Sequence, residues 1–424
     1  MKIQKILIKS EDKNLLISKI SLITAILFAS LAGYAYFAFI PLFLESKGFL
    51  VPQVVFIMTW MGIGMAIFSW FFGRISDKSG RRKLFFILAL LIQVVVVSLL
   101  NLSNHIVFHC VLNFLRGIIL GMRLPASNAL FADIVENSNK QKEMVINLET
   151  TEVSGTQLSL LSATKSTGWA IGVILSSFLI SKFGMDSLVL FLIITTTISL
   201  FFAIPVRDIK KNEKIENASD IESTKEALVI SEVLINDNNK SKKRSKVKLI
   251  LYISVFFRQF GVIPFIQIIS ILLTGAGISV ELAGIVIALN PILQVVAMIL
   301  SGRIVDNPKI SEKMMLAVGF ILSALTLLCY GMGSTTGLII YFILGQISLG
   351  FAWGCIYTGA VKYIVNHAPL DRAFYMGIWI TDLQIAKIIS YQVFAFLWIL
   401  YSPALTLPFA ALIPLIGLFL VYWL

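Results

Sequence analysis

Twelve long apolar runs fill most of this 424-residue chain and leave it few ways to fold. They cover 17–43, 51–73, 84–102, 105–132, 157–181, 185–206, 249–275, 279–304, 312–333, 336–361, 373–400 and 404–424. A helix needs about 20 mostly apolar residues to cross a bilayer, whose hydrocarbon core is about 30 Å thick. Inside lipid every backbone N–H and C=O must find its partner within the protein, so only helices and closed barrels span it. These runs are continuous rather than alternating apolar with polar, which predicts helices and not an outer-membrane barrel. Composition agrees: 58% of the residues are hydrophobic and 14% charged, outside the range of soluble domains. The expected fold class is an all-α membrane protein with twelve transmembrane helices.

The placement of positive charge orients the spans. Counting runs puts both termini and the even-numbered turns on one side. That side holds Lys2, Lys5, Lys9, Lys13 and Lys19, then Arg74, Lys78, Arg81, Arg82 and Lys83. It also holds Lys140, Lys142, the segment 207–248, Arg303, Lys309, Lys313, Lys362 and Arg372, against only Lys47 and Lys182 opposite. Such asymmetry in short loops marks the cytoplasmic side. A multi-pass protein of the plasma membrane is therefore expected, with both termini cytoplasmic. The first run is too long for a signal-peptide core and no small-residue cleavage site follows it, so it reads as an uncleaved span. The net charge of +12 is mostly topology, and no soluble domain is left to bind nucleic acid.

Cys110, Cys329 and Cys355 fall inside predicted helices without metal spacing and read as packing residues. His105, His109 and His367 are too scattered to suggest a metal site, and neither metal nor cofactor is expected. Only 207–248 looks unlike membrane. Its low hydrophobicity and mixed charge predict a mobile cytoplasmic linker, with one short helix near 223–234 and a basic end that rests on anionic headgroups or simply anchors the topology. The linker separates residues 1–206 from 249–424, two halves of six spans each.

The halves echo one another. GRISDKSGRRK at 73–83 follows one apolar run, and GRIVD at 302–306 follows another. Gly121 and Gly350 keep the offset that separates Gly73 from Gly302. A charged turn repeated at half-chain spacing among membrane-length runs indicates duplication. Gly80 suits a tight backbone turn within a loop of about ten residues. Asp77, among Arg74, Arg81 and Arg82, can accept charge-assisted bonds or lie near a helix N-terminus.

With twelve spans, two halves and this turn between spans two and three, the chain resembles the major facilitator superfamily. Gly73, Asp77, Gly80, Arg81 and Arg82 match that family's signature G-x-x-x-D-x-x-G-R-[RK]. Gly302, Arg303 and Asp306 form the partial second copy, which lacks the second glycine. The resemblance covers the chain apart from the termini and the linker. It implies two six-helix halves rocking about a central cavity, with the 73–83 turn as a conformational latch; the plain alternative is a positive anchor with Asp77 as counter-charge. Arg116, followed by Gly117 and Gly121, loosely resembles the family's helix-four pattern, although the glycine spacing departs from it. The Gly-Pro-x-x-Gly-Gly signature common in drug:proton antiporters is missing from span five, where Val173 follows Gly172.

Ionisable residues within spans are costly and mark functional sites. Here they are mostly cations: Arg116 and Arg123 in span four, Lys165 in five, Arg258 in seven and Lys387 in eleven. Asp382 is the only carboxylate deep in a span, with Asp133 and Glu45 near span ends. Arg116 and Arg123 are two turns apart and share a face. Gln384, Lys387 and Tyr391 form a polar stripe in span eleven, Asn290 and Gln294 lie beside Pro291 in span eight, and Ser162, Lys165 and Trp169 line one face of span five. Such stripes should border a watery path. Tyr34 completes the expected cavity set, with Tyr36 beside it. The competing readings are snorkelling for Lys165 and Arg258, and structural roles for Arg116 and Asp382.

Five buried cations against so few carboxylates favour anionic or hydrogen-bonding cargo over organic cations. The expectation is a monomeric secondary transporter that moves a small organic solute by alternating access. Protons are the expected coupling ion, with Asp382, Asp133 or a buried lysine titrating. No G-x-x-x-x-G-K-[ST] loop is present to drive it with ATP, and no enzymatic activity is expected. A multidrug exporter is the alternative within transport, and a transport-inactive sensor or scaffold the alternative outside it.

Overall fold

The computed structural model describes residues 2–146, 155–208, 247–305, 310–367 and 372–424. The expected short helix near 223–234 and Asp306 lie outside the described residues, as do the side chains of Asp77 and Ser162. The first six helices are α1 (Lys2–Ser46), α2 (Val51–Ser79), α3 (Arg82–Ser98), α4 (Ile106–Ile146), α5 (Gly155–Phe183) and α6 (Ser187–Ala203). The second set is α7 (Leu249–Gln267), α8 (Ile269–Gly275), α9 (Val280–Val305), α10 (Glu312–Thr336), α11 (Ile339–His367), α12 (Arg372–Leu400), α13 (Pro403–Ala410) and α14 (Leu412–Val421).

Among the described residues, ten helical spans are long and apolar enough to cross a membrane. The predicted third and sixth spans fall short of that length: α3 and α6 have 17 residues each. Both nevertheless pack within the same bundle, α3 on α4 and α6, and α6 on α1 and α5. The seventh run is two helices, with the chain leaving helical geometry at Ile268 between α7 and α8, four residues past Pro264. The twelfth is likewise divided, into α13 and α14.

Duplication is visible in the packing. The contacts α2–α4, α3–α4, α1–α5, α1–α6 and α3–α6 recur as α9–α11, α10–α11, α7–α12, α7–α14 and α10–α14. Small residues bring these helices together. A methyl group on Gly117 would lie 2.3 Å from the Met61 carbonyl oxygen, and one on Gly354 2.7 Å from the Ala297 side chain. Neither could be accommodated without parting α2 from α4 or α9 from α11.

The two sets meet chiefly through α5–α9 and α2–α12. One apolar core runs continuously between them, from Ala32, Phe39 and Phe43 of α1 to Phe265 of α7 and Phe394 of α12. That core lies toward the face that carries Lys47. Toward the face that carries both chain ends the core divides in two. One part joins Leu22, Phe86, Leu130 and Ala203, the other Leu251, Phe320, Ile364 and Trp379. Among the described residues, the bundle is therefore sealed on the Lys47 face, and its cores stand apart on the terminal face.

The turn at 73–83 is tighter than the sequence suggests. Helix α2 continues to Ser79, so Gly73, Arg74 and the Asp77 backbone are helical. The reversal needs only Gly80 and Arg81, with Gly80 at φ +62° in the left-handed region that glycine adopts without strain. Gly302 and Arg303 are helical too, in the last turn of α9. Cys110, Cys329 and Cys355 are free thiols buried in the packing.

Candidate functional site

A cavity of about 280 Å³ opens among α1, α3, α4 and α5, lined by Ser30, Gly33, Tyr34, Phe37, Arg123, Lys165 and Trp169 with apolar neighbours. Helix spacing explains why these residues meet. On α5, Lys165 and Trp169 are four apart and share a face. Gly168 brings that face against α1, since even a methyl there would lie 2.7 Å from the Leu27 carbonyl oxygen. Trp169 then stacks on Tyr34 with ring centroids 5.0 Å apart and planes 12° from parallel. Tyr34 stacks in turn on Phe37 at 5.5 Å and 15°. Such offset stacks are favourable and hold the aromatic wall in place.

The cations are fixed by neutral partners. Arg123 Nη1 donates to Gln93 Oε1 at 3.1 Å and to the Ala29 carbonyl at 3.3 Å, while Gln93 Nε2 donates to Thr196 Oγ1 at 3.1 Å. The second guanidinium nitrogen faces Gly33, where a methyl would stand 3.6 Å away. Lys165 Nζ donates to Asn128 Oδ1 at 2.7 Å. No aspartate or glutamate lines the cavity among the described residues. Two positive groups thus face a largely apolar space with carbonyl, amide and hydroxyl partners but no counter-charge.

The other expected cavity residues are spread more widely. Lys387 lies at the seam between the halves, with Nζ 5.9 Å from the Phe37 ring centroid and 5.4 Å from that of Tyr391. Tyr391 donates to Gln267 Oε1 at 2.8 Å, and Gln267 Nε2 donates to the Phe37 carbonyl at 3.1 Å. Gln392 Nε2 reaches Thr59 Oγ1 at 2.8 Å. These bonds tie α1 and α2 to α7 and α12 on the sealed side. Asn290 of α9 stands beside Tyr34 across the seam. Gln294, one turn on, has its backbone against Gly350 of α11 and does not line the cavity.

Arg116 is buried behind Tyr36, its guanidinium 3.7 Å from the ring centroid, while Tyr36 donates to Asn113 Oδ1 at 3.0 Å. It shares a helix with Arg123 but not the cavity. Arg258 is held within the second set, donating to Ser323 Oγ at 3.0 Å and Gln259 Oε1 at 2.9 Å and facing Trp353 at 5.3 Å. It does not line this cavity, because α7 turns it toward α10 and α11. Asp382 stands near Tyr252 of α7, and no ion pair joins it to Lys387 among the described residues. Five positions separate the two on α12, which turns them to different faces. Gln384 Oε1 is buried without a hydrogen-bond partner among the described residues.

Asp133 is engaged elsewhere. It pairs with Arg82 at 2.5 Å, and Arg82 also donates to the Ala129 carbonyl at 3.0 Å. Lys83 is tied to the end of α6, its backbone N–H donating to Asp208 Oδ1 at 2.7 Å and its ammonium to the Ile204 carbonyl at 2.5 Å. The basic turn is thereby clamped to α4 and α6. Arg74 lies over Trp70 at 4.3 Å, and Arg81 and Arg303 are exposed.

Sequence reasoning passed over Phe37, Gln93, Asn128, Thr59, Gln267 and Gln392. The four amides were visible as polar residues inside apolar runs, the same signal that selected Gln294 and Gln384. Phe37 carried no such signal.

Comparison with known proteins places this architecture. The family model described as Major Facilitator Superfamily matches residues 22–268 and 249–424. A candidate niacin/nicotinamide transporter of Bacillus subtilis (strain 168), NiaP, is 26% identical over 165 residues, 37% of this chain and 37% of that protein. Among solved structures, a mutant of the nucleoside transporter NupG superposes with a TM-score of 0.73 at 12% identity, covering 96% of this chain and 99% of that one. The xylose transporter XylE from E. coli, partially occluded and inward open, gives 0.67 at 15% identity over 96% and 99%. The POT family transporter PepTSo gives 0.70 at 12% over 96% and 97%. Matched across nearly the whole bundle, this chain belongs to the major facilitator superfamily of transporters.

Proposed function

We propose that this transporter carries a small organic anion, or a closely similar polar solute, across the plasma membrane by alternating access. The observation that carries the reading is the cavity wall of Arg123 and Lys165, which has no acidic residue among the described residues that line it. In a low-dielectric space a like-charged solute is strongly disfavoured, and a carboxylate supplies the counter-charge that the protein does not. This also weighs against the multidrug-cation alternative. Niacin is an organic anion at neutral pH and nicotinamide its uncharged counterpart, so the cargo in the name of NiaP falls within the proposed class.

The terminal face is the cytoplasmic one in this reading, on the basis of the lysine and arginine asymmetry. The sealed Lys47 face and the parted terminal face then correspond to an inward-facing state. Protons are the proposed coupling ion and Asp382 the proposed carrier. Asp382 is the one acidic side chain deep in a described span, and its Oδ2 has no hydrogen-bond partner among the described residues. Asp133, committed to Arg82, suits that role less.

A thermal-shift panel on the purified protein tests the cargo class. A ligand at 100 times its Kd stabilises the folded state by about 2.7 kcal/mol, which is readily seen. Small carboxylates should raise the melting temperature and quaternary ammonium compounds should not. Stabilisation by the cations alone would reverse the reading.

A further inference from the structure

We infer that the cavity selects a small aromatic carboxylate without an amino group, its ring against the Trp169–Tyr34–Phe37 wall and its carboxylate on Lys165 and Arg123. This rests on the organic-anion reading above and narrows it. Three observations lead there.

The wall comes first. Three rings from two helices lie within 15° of parallel, neighbour to neighbour, with centroids 5.0 Å and 5.5 Å apart, and all three border the cavity. Rings stacked on one another present edges along the row and a free face only at its ends, so a flat ring can meet them edge-to-face or extend the stack from an end, which a puckered ring of the same size cannot do. The remaining lining includes Ile26, Ala29, Leu120 and Leu124, which favours an apolar body over a sugar whose hydroxyls would go unpaired.

The second observation is the position of charge. Lys165 is one helical turn from Trp169, and residues so placed have Cβ atoms about 5–6 Å apart. A molecule with its ring against the indole can therefore bring a substituent carboxylate to the ammonium. Lys165 spends one of its three donors on Asn128, and the Arg123 guanidinium nitrogen beside Gly33 is turned toward the space. Both can bond a carboxylate, and charge-assisted bonds of this kind are the strong ones. No acidic side chain among the described residues lines the cavity to receive an ammonium, so an aromatic amino acid would bring its own cation beside two others.

Size is the third. About 280 Å³ lies at the lower edge of ligand pockets, which run about 300–1,000 Å³. One ring with its substituents fits such a space.

The test uses the full-length purified protein and four probes: benzoate, cyclohexanecarboxylate, benzamide and phenylalanine. Benzoate should bind tightest. Cyclohexanecarboxylate should be weaker by up to roughly tenfold, the most that a stacked aromatic pair adds, and benzamide and phenylalanine weaker still. Trp169→Leu should bring the benzoate to cyclohexanecarboxylate ratio toward one, and Trp169→Phe should restore it. Lys165→Met should do the same to the benzoate to benzamide ratio. If cyclohexanecarboxylate binds as tightly as benzoate, the aromatic selection is wrong while the anion reading stands. If neither carboxylate binds the folded parent, the anion reading itself falls and this inference with it.

Discussion

Lys165 and Arg258 look alike in sequence, each a lone cation inside an apolar run, yet their surroundings predict different losses on neutralisation. Lys165 borders the cavity and gives a single bond to Asn128. Lys165→Met should weaken binding of a small carboxylate at least tenfold and leave thermal stability nearly unchanged. Arg258 is bonded to Ser323 and Gln259 inside the second half. Arg258→Met strands Gln259 Oε1, while Ser323 still donates to the Gly319 carbonyl, and a buried polar group left unsatisfied costs about 1–3 kcal/mol. It should therefore lower the melting temperature while sparing the preference for anions. Binding and unfolding measured on both variants check the pair; a shared pattern would mean that the two cations do one job. The sequence could not separate them, because helical period gives the face a residue occupies and not which neighbour that face meets. Phe37 makes the same point from the other side, since an apolar residue in an apolar helix carries no mark of bordering both the cavity and Lys387.

Among elements, the apolar runs announced the helices, and Gly80 makes the tight turn its residue type suits. What the runs hid was continuation past the apolar stretch. Helix α2 carries Gly73 to Ser79 and turns only at Gly80, so the signature residues extend a span instead of forming a slack loop. Repacking at Pro264 and the division of the last run likewise depend on neighbours that hydropathy does not contain. The seal on the Lys47 face rests on Gln267, which joins the Phe37 carbonyl to the Tyr391 hydroxyl. We expect Gln267→Leu to loosen that seal and raise the population open on the Lys47 face. Asp77→Asn, by weakening a latch on the opposite face, should shift the balance the other way and slow transport at unchanged membrane abundance. Distances between spin labels at Lys47 and Gly277 report both shifts: longer for the first variant, shorter or unchanged for the second. Movement in the same direction would remove the idea that the two faces oppose one another.

At the scale of the whole molecule, charge asymmetry gives an orientation that the fold alone leaves undetermined. A cysteine replacing Lys47 should react with an impermeant maleimide added to intact cells, and one replacing Asn238 should react only after lysis. The opposite pattern would invert the bundle and turn the inward-facing assignment into an outward-facing one. Duplication, twelve runs and the repeated Gly-Arg-Ile-x-Asp turn were all legible in the chain. The cavity wall was half legible: the cations stood out, but their gathering into one cavity required the close α1–α5 approach that Gly168 permits.

We propose that a cavity lined by Arg123 and Lys165, with no carboxylate among the described residues that line it, carries organic anions. Exchange in proteoliposomes tests it most directly: vesicles loaded with unlabelled nicotinate are diluted into labelled nicotinate, and label entry is followed with parent protein, with Lys165→Met and without protein. Label should enter rapidly with the parent alone, at matched protein content. Entry as fast with Lys165→Met as with the parent, or exchange of a labelled quaternary ammonium in place of nicotinate, would contradict it.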